Sequence, residues 1–187
     1  MEEIRYIFCD TETTGLSPQN GDKMVEFCLY ETDEYGNPVA SLCTLVNPER
    51  DIPEEVIRIH GIDNNKVIDA PLWRQIVPKM VAFLSYDGLS PSNRKLIIHN
   101  APFDIGFIET QTREVGGFEN FRLADYVEVV DTVAIAKSVY PGEKVKLDIL
   151  CDRLKVDRSE RILHGALLDC RILSEVFFKL MPLFEDK

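Results

Sequence analysis

Short, dense apolar runs punctuate this chain, and their spacing predicts a sheet-and-helix protein. Residues 4–9 place apolar side chains on both alternating faces, as expected of a strand buried on both sides near the middle of a sheet. Residues 24–30 and 40–46 read as two further strands, joined through the polar connection 31–38, so the first three strands should form an antiparallel meander. Glu26 interrupts the second run and reads as a satisfied or edge-facing acid. Residues 52–59 carry a proline and two acids where a helix would begin. Asp63 reads as the cap of another short helix. Residues 70–84 repeat apolar positions at Leu72, Ile76, Met80 and Phe83 in helical register, with Pro78 expected to kink or break the helix. After a polar loop at 85–94, residues 95–100 form a short apolar run, and Asn100 is positioned to cap a helix starting at Ala101. A fifth strand is expected at 126–130, with Asp131 and Thr132 capping a helix to about Val139. A shorter helix at 147–154 and a final helix through Asp169 complete the pattern.

Acids break this pattern where chemistry is expected. Asp10 and Glu12, two positions apart, leave the same face of an extended chain at the end of the first strand. Side-by-side anions there repel unless a proton or a cation intervenes. Thr11, Thr13 and Thr14 add hydroxyls, and Gly15 permits close backbone approach. Asp104 falls within about 40° of Ile108 and Val115 on its helix, although an acid in a first turn also favours the helix dipole. Asp169 shares the apolar stripe of Leu173, Val176 and Leu180, where an unpaired acid would cost several kcal/mol. His164 would lie about 140° away on a continuous helix, so it can approach Asp169 only from the entering loop or first turn. His60, beside the helix-ending Gly61, reads locally as a surface polar residue.

Composition narrows the class. The 187 residues, 45% hydrophobic and 28% charged, fit a single domain over residues 1–187 with one buried core. Met1-Glu2-Glu3-Ile4 lacks the layout of a signal peptide, and no long apolar span is present, so a cytoplasmic protein without membrane contact is expected. The five cysteines, without close pairs, are expected to be reduced, buried thiols. A net charge of −11 excludes an extended basic footprint for duplex DNA. A nucleic-acid substrate would have to be held over a short stretch, with metal ions supplying positive charge. Asp10, Glu12, Asp104 and Asp169 in one site would suit two hard cations about 3.5 to 4 Å apart. Zinc is disfavoured, because no Cys or His cluster has its spacing. His164 would then accept a proton from the attacking water, a task for a side chain with an ordinary pKa of about 6.5.

The segments Asp10-Thr11-Glu12-Thr13-Thr14-Gly15, His99-Asn100-Ala101-Pro102-Phe103-Asp104-Ile105-Gly106-Phe107 and His164-Gly165-Ala166-Leu167-Leu168-Asp169 resemble, in order, the three motifs of the DEDDh exonuclease family. The resemblance covers nearly the whole chain. It implies an α/β, RNase H-like fold with a five-stranded mixed β-sheet flanked by α-helices. It also implies 3′→5′ hydrolysis at single-stranded or frayed DNA 3′ ends, releasing nucleoside 5′-monophosphates in proofreading or repair. Two divalent ions, Mg²⁺ or Mn²⁺, are the implied cofactors. Asp10, Glu12 and Asp169 would be direct ligands, Asp104 would act directly or through water, and His164 would be the base. Thr11, Thr14, Gly15, Leu16, Glu55, His60, His99, Asn100 and Phe103 would line the terminal nucleotide's pocket. Leu16 and Phe103 suit base stacking or wedging. A DNA polymerase subunit is an implied partner, although Lys187 follows so soon after the last helix that a polymerase-holding tail is not expected. An RNA 3′→5′ exonuclease of the same fold and a catalytically silent nucleic-acid-binding adaptor are the alternatives.

Overall fold

In the computed structural model, which describes residues 4–85 and 88–186, five strands form one mixed sheet in the spatial order β3-β2-β1-β4-β5. β1 (Arg5–Thr13), β2 (Met24–Thr32) and β3 (Pro38–Leu45) make the expected antiparallel meander. β4 (Arg94–Ile98) and β5 (Glu128–Asp131) extend it in parallel on the far side of β1. The helices are α1 (Glu54–His60), α2 (Asn64–Val67), α3 (Trp73–Ser85), α4 (Ala101–Arg113), α5 (Thr132–Val139), α6 (Leu147–Leu154) and α7 (Ala166–Glu185). Among the described residues no helix is long and apolar enough to cross a membrane.

Because β1 is central, its alternating side chains sort to two apolar faces. Ile7 and Cys9 pack with Phe27, Leu96 and Ile98 against Trp73, Ile76 and Met80 of α3 and Phe107 and Ile108 of α4. Phe8 lies on the opposite face with Cys28 and Ile97, under Ala166, Cys170, Leu173 and Phe177 of α7. The RNase H-like architecture expected from the motifs is therefore present, with α7 laid across the β1 and β2 surface.

Several local expectations are corrected. β1 does not end at Cys9; it runs to Thr13, because Asp10, Glu12 and Thr13 still pair with Cys28, Glu26 and Met24 of β2. α3 continues through Pro78 without ending there. Pro78 is exposed, and the helical partner it leaves unbonded would be the carbonyl of Arg74, also on the exposed side, where water can replace the missing N–H. Asn100 makes no side-chain cap; it adopts φ +73°, and its backbone N–H donates to Asp131 Oδ1 at 3.1 Å. Asp131 Oδ1 also accepts from Val133 N at 2.9 Å, so one carboxylate caps α5, as expected, and ties the ends of β4 and β5 together. The fifth strand starts at Glu128 rather than 126, since a short 3-10 turn at Leu123–Asp125 precedes it. Cys28 and Cys43 stand directly opposite across β2 and β3, with Cα atoms 4.0 Å apart, and form a disulfide. The expectation of five reduced thiols fails there because strand register, invisible in the spacing, brings the pair together; Cys9, Cys151 and Cys170 are free and buried as expected. The loop expected at 85–94 includes residues 86 and 87, which, like Met1–Glu3 and Lys187, lie outside the described residues.

Candidate active site

The acids meet at the C-terminal end of β1. Asp10 and Glu12 share the face of Phe8, under the start of α7. Thr11 points the other way, and its Oγ1 donates to Asp104 Oδ1 at 2.7 Å. Asp104 can reach it because α4 begins directly after β4, the parallel neighbour of β1, and Asp104 lies in its first turn. Asp169 occupies the first turn of α7 and is buried. The ligand atoms of Glu12, His164 and Asp169 lie within 4.8 Å of one another. Asp10 joins Asp169, His164, His99 and Asn100 on the wall of a cavity of about 660 Å³.

The electrostatics of this arrangement are unfavourable to bare anions. Burial raises the Asp10 carboxyl well above the usual range, and Asp104, Glu12 and Asp169 push it further. Glu12 is raised to about 8 by burial and then by Asp169, Glu26 and Asp104. Asp104 is raised to about 7 by burial, against the lowering effect of the Thr11 hydroxyl. Asp169 alone moves the other way: burial would raise it, but Arg161 and His164 hold it below the ordinary carboxylate range.

Two residues outside the expected site set, Arg161 and Glu26, bear directly on its acids. Arg161 places Nε 2.5 Å from Asp169 Oδ1 and Nη2 2.7 Å from Oδ2, while Nη1 donates to Asp148 Oδ1 at 2.6 Å. Its guanidinium is the cation that neutralises Asp169, so it stands in for part of the positive charge a metal would bring. Glu26, the residue read as a satisfied acid, pairs in register with Glu12 and accepts from Ala166 N at 2.8 Å. It thereby closes the N-terminus of α7 one turn from Asp169. The only sequence signal for Glu26 was its intrusion into an apolar strand; for Arg161 there was only its proximity to His164.

His164 sits in the loop before α7, as its angle to Asp169 required, with Nδ1 3.4 Å from Asp169 Oδ2 and 3.0 Å from Arg161 Nη2. The loop is pinned by His164 N donating to Ile59 O at 3.1 Å and by Leu163 packing over Gly61. His60 is buried, not a surface residue, because this loop covers it; its Nδ1 accepts from Ile62 N at 3.0 Å, and the ring lies against the Thr13 backbone. Gly61 has φ +72°, and a Cβ there would stand 2.7 Å from Leu163 Cδ1. Gly61→Ala strains a backbone held at positive φ beside the His164 loop, and a loop shift approaching 1 Å should lower turnover by about tenfold. Steady-state kinetics with circular dichroism as the folding control measures this, and an unchanged rate contradicts it.

The remaining expected residues distribute unevenly. Thr14, buried, accepts from Lys23 N at 3.0 Å. Gly15 allows the Asp22 carboxylate to approach where a Cβ would come within 2.3 Å of it, which shapes the following loop. Leu16 on that loop is 84% exposed, free to touch a base. Phe103, half-buried, packs on Phe107 of α4, and Gly106 of the same helix faces Pro18, two residues beyond Leu16 on the loop. His99 Nδ1 lies 2.9 Å from Thr132 Oγ1, and burial lowers its pKa. Glu55 is exposed in the first turn of α1, and among the described residues no hydrogen bond or ion pair ties it to the acids.

A hard divalent cation fits these oxygen donors. Asp10, Glu12 and Asp104 keep their protons to higher pH folded than unfolded, so the folded chain binds more protons and loses stability as pH rises toward about 8. The lowered Asp169 acts with opposite sign, but its window lies at acid pH. His60 and His99, lowered by burial, cost stability only below their ordinary value of 6.5. Between pH 6.5 and 8 the melting temperature in chelator should therefore fall, and the gain on adding Mg²⁺ or Mn²⁺ should grow as bound protons are displaced. Scanning calorimetry across that range tests it; a flat or rising profile in chelator contradicts it.

Comparison with known proteins gives a consistent picture. The family model described as exonuclease (RNase_T) matches residues 7–177. The DNA polymerase III subunit epsilon of Rickettsia conorii is 41% identical over 181 residues, covering 97% of this chain and 75% of that protein. The structure of exonuclease X in complex with 5′ overhanging duplex DNA superposes with TM-score 0.68 at 25% identity, covering 95% of this chain and 91% of that one. The nuclease domain of 3′hExo, described as a DEDDh family member bound to rAMP, superposes with TM-score 0.79 at 16% identity over 96% and 92% of the two chains, which supports the fold.

Proposed function

We propose a reaction path for this chain, which belongs to the exonuclease family and is a 3′→5′ exonuclease of the epsilon, proofreading type. The observation that carries the path is the meeting of Asp10, Glu12, Asp104 and Asp169 with His164 at the end of β1. Asp10, Glu12 and Asp169 would hold two divalent ions, Mg²⁺ or Mn²⁺, with Asp104 steadying the set through Thr11 or through water. When bound, these ions lower the pKa of the attacking water and offset charge on the phosphate in the transition state. His164, at the mouth of the cavity, would take the water's proton. Asp169 would orient the imidazole, and the loop held to Ile59 would keep it in reach. Leu16 and Phe103 would receive the terminal base, a sequence-tolerant contact suited to removing any nucleotide.

Single-stranded or frayed DNA 3′ ends are the substrate this reading favours, and the name of the Rickettsia conorii relative suggests a DNA polymerase as partner. End-labelled DNA and RNA oligonucleotides, incubated with Mn²⁺ or with chelator, test it. Stepwise release of 5′-monophosphates from DNA 3′ ends, abolished by chelator, is expected. Release from RNA alone would reassign the substrate, and chelator-resistant release would overturn the metal-dependent path.

A further inference from the structure

The cavity that Asp10 and Asp169 line has a second wall of opposite sign. Lys137 lies in the last turn of α5, and Lys144 and Lys146 lie on the connection from α5 to α6; all three are exposed and line the same cavity as Asp10 and Asp169. None of the three makes an ion pair or side-chain hydrogen bond among the described residues, in a chain of net charge −11 whose other cavity cation, Arg161, is fully engaged. The acids on this wall are already neutralised: Glu143 pairs with Arg153 at 2.8 Å and Asp148 with Arg161 at 2.6 Å. The connection is also fixed in place. Val145, between the two lysines, is buried in the cluster of Val139, Leu150 and Val176, and anchors the segment that brings Lys144 and Lys146 to the cavity. Arg153 lies over the Tyr140 ring at 4.8 Å and braces the start of the connection.

Ammonium groups that line one cavity with Asp10 and Asp169, yet pair with neither among the described residues, are suited to a further anion. We infer that Lys137, Lys144 and Lys146 form a rail for the phosphodiester backbone of the substrate strand, gripping the phosphates upstream of the bond that is cut. The inference rests on the exonuclease reading of the acids, because that reading puts the scissile phosphate at Asp10 and Asp169 and the terminal base at Leu16, leaving the lysine wall to the preceding nucleotides. Lysines act here as point charges without base contacts, so the rail is indifferent to sequence. It also explains how an acidic protein retains a polyanionic strand near a cluster of carboxylates.

The test measures binding apart from turnover. Fluorescence anisotropy of a labelled ten-nucleotide oligothymidylate is followed in Ca²⁺ buffer at increasing salt, for the unmodified protein and for the triple variant Lys137→Gln, Lys144→Gln, Lys146→Gln. Three lost phosphate contacts should make the slope of log affinity against log salt shallower by about 2, from about 0.7 per contact on a single strand. The triple Lys→Arg variant should keep the original slope. In Mn²⁺, the Gln variant's loss of kcat/KM on the ten-mer should exceed its loss on a dinucleotide, whose only phosphodiester is the scissile one, by on the order of tenfold. An unchanged salt slope, or equal losses on both lengths, would overturn the rail. A slope that falls as expected while the unmodified protein hydrolyses neither substrate would support the rail and count against the exonuclease path.

Discussion

Asp10→Asn should abolish metal-dependent release of nucleotides while leaving the metal-free chain as stable as before, or more so. Asp10 sits where burial and three neighbouring acids oppose its charge, against a smaller lowering effect of Arg161, and among the described residues no side-chain hydrogen bond compensates it. Removing that charge while keeping the shape relieves repulsion, so the melting temperature in chelator at pH 8 should hold or rise, by about 2–4 °C for each kcal/mol relieved in a chain of this size. The same change removes a direct oxygen ligand from the site. Losing an outer partner of a metal ligand typically lowers activity 10–100-fold, and losing the ligand itself should exceed that, at about 10³-fold or more. A residue whose removal stabilises the fold and destroys activity is there for function. Parallel calorimetry and exonuclease kinetics decide it; activity retained within tenfold, or a sharp fall in metal-free stability, would contradict the account.

His164→Ala should lower kcat by about 10²- to 10⁴-fold, the range for a lost general base, with a much smaller effect on metal binding. The geometry separates the two roles. The imidazole is 47% exposed on the cavity side, and its contacts are Nδ1 with Asp169 at 3.4 Å and Arg161 at 3.0 Å. The buried carboxylates remain when it is removed, so the metal-induced rise in melting temperature should be largely kept. Equal losses in metal affinity and rate would make His164 a ligand instead, consistent with its place within 4.8 Å of Glu12 and Asp169. An unchanged rate would remove it from the reaction altogether.

Much of this site could be read from local periodicity. The two-residue spacing of Asp10 and Glu12 put both on one face of a strand, and the position of Asp169 on an apolar stripe demanded a compensating charge. Both signals are geometric consequences of one element, so sequence alone carries them. What sequence did not carry depends on how elements meet. The compensating charge proved to be Arg161, eight residues away on a loop whose path is set by Ile59 and Gly61. Glu26 reaches α7 across 140 residues because β2 pairs with β1 in one register. The Cys28–Cys43 bond depends on register in the same way. His60 is buried by a segment about a hundred residues later, and Asn100 is positioned by Asp131 rather than by its own side chain. Glu55, expected from family resemblance, remains on the exposed side of α1.

Anomalous diffraction from crystals soaked in Mn²⁺ with a nucleoside 5′-monophosphate addresses the central claim most directly. Two manganese peaks about 3.5 to 4 Å apart, in contact with Asp10, Glu12 and Asp169 and with Arg161 released from Asp169, are the predicted result. Saturating Mn²⁺ that leaves no peak within reach of Asp10, with Arg161 still paired to Asp169 in an active enzyme, would contradict it.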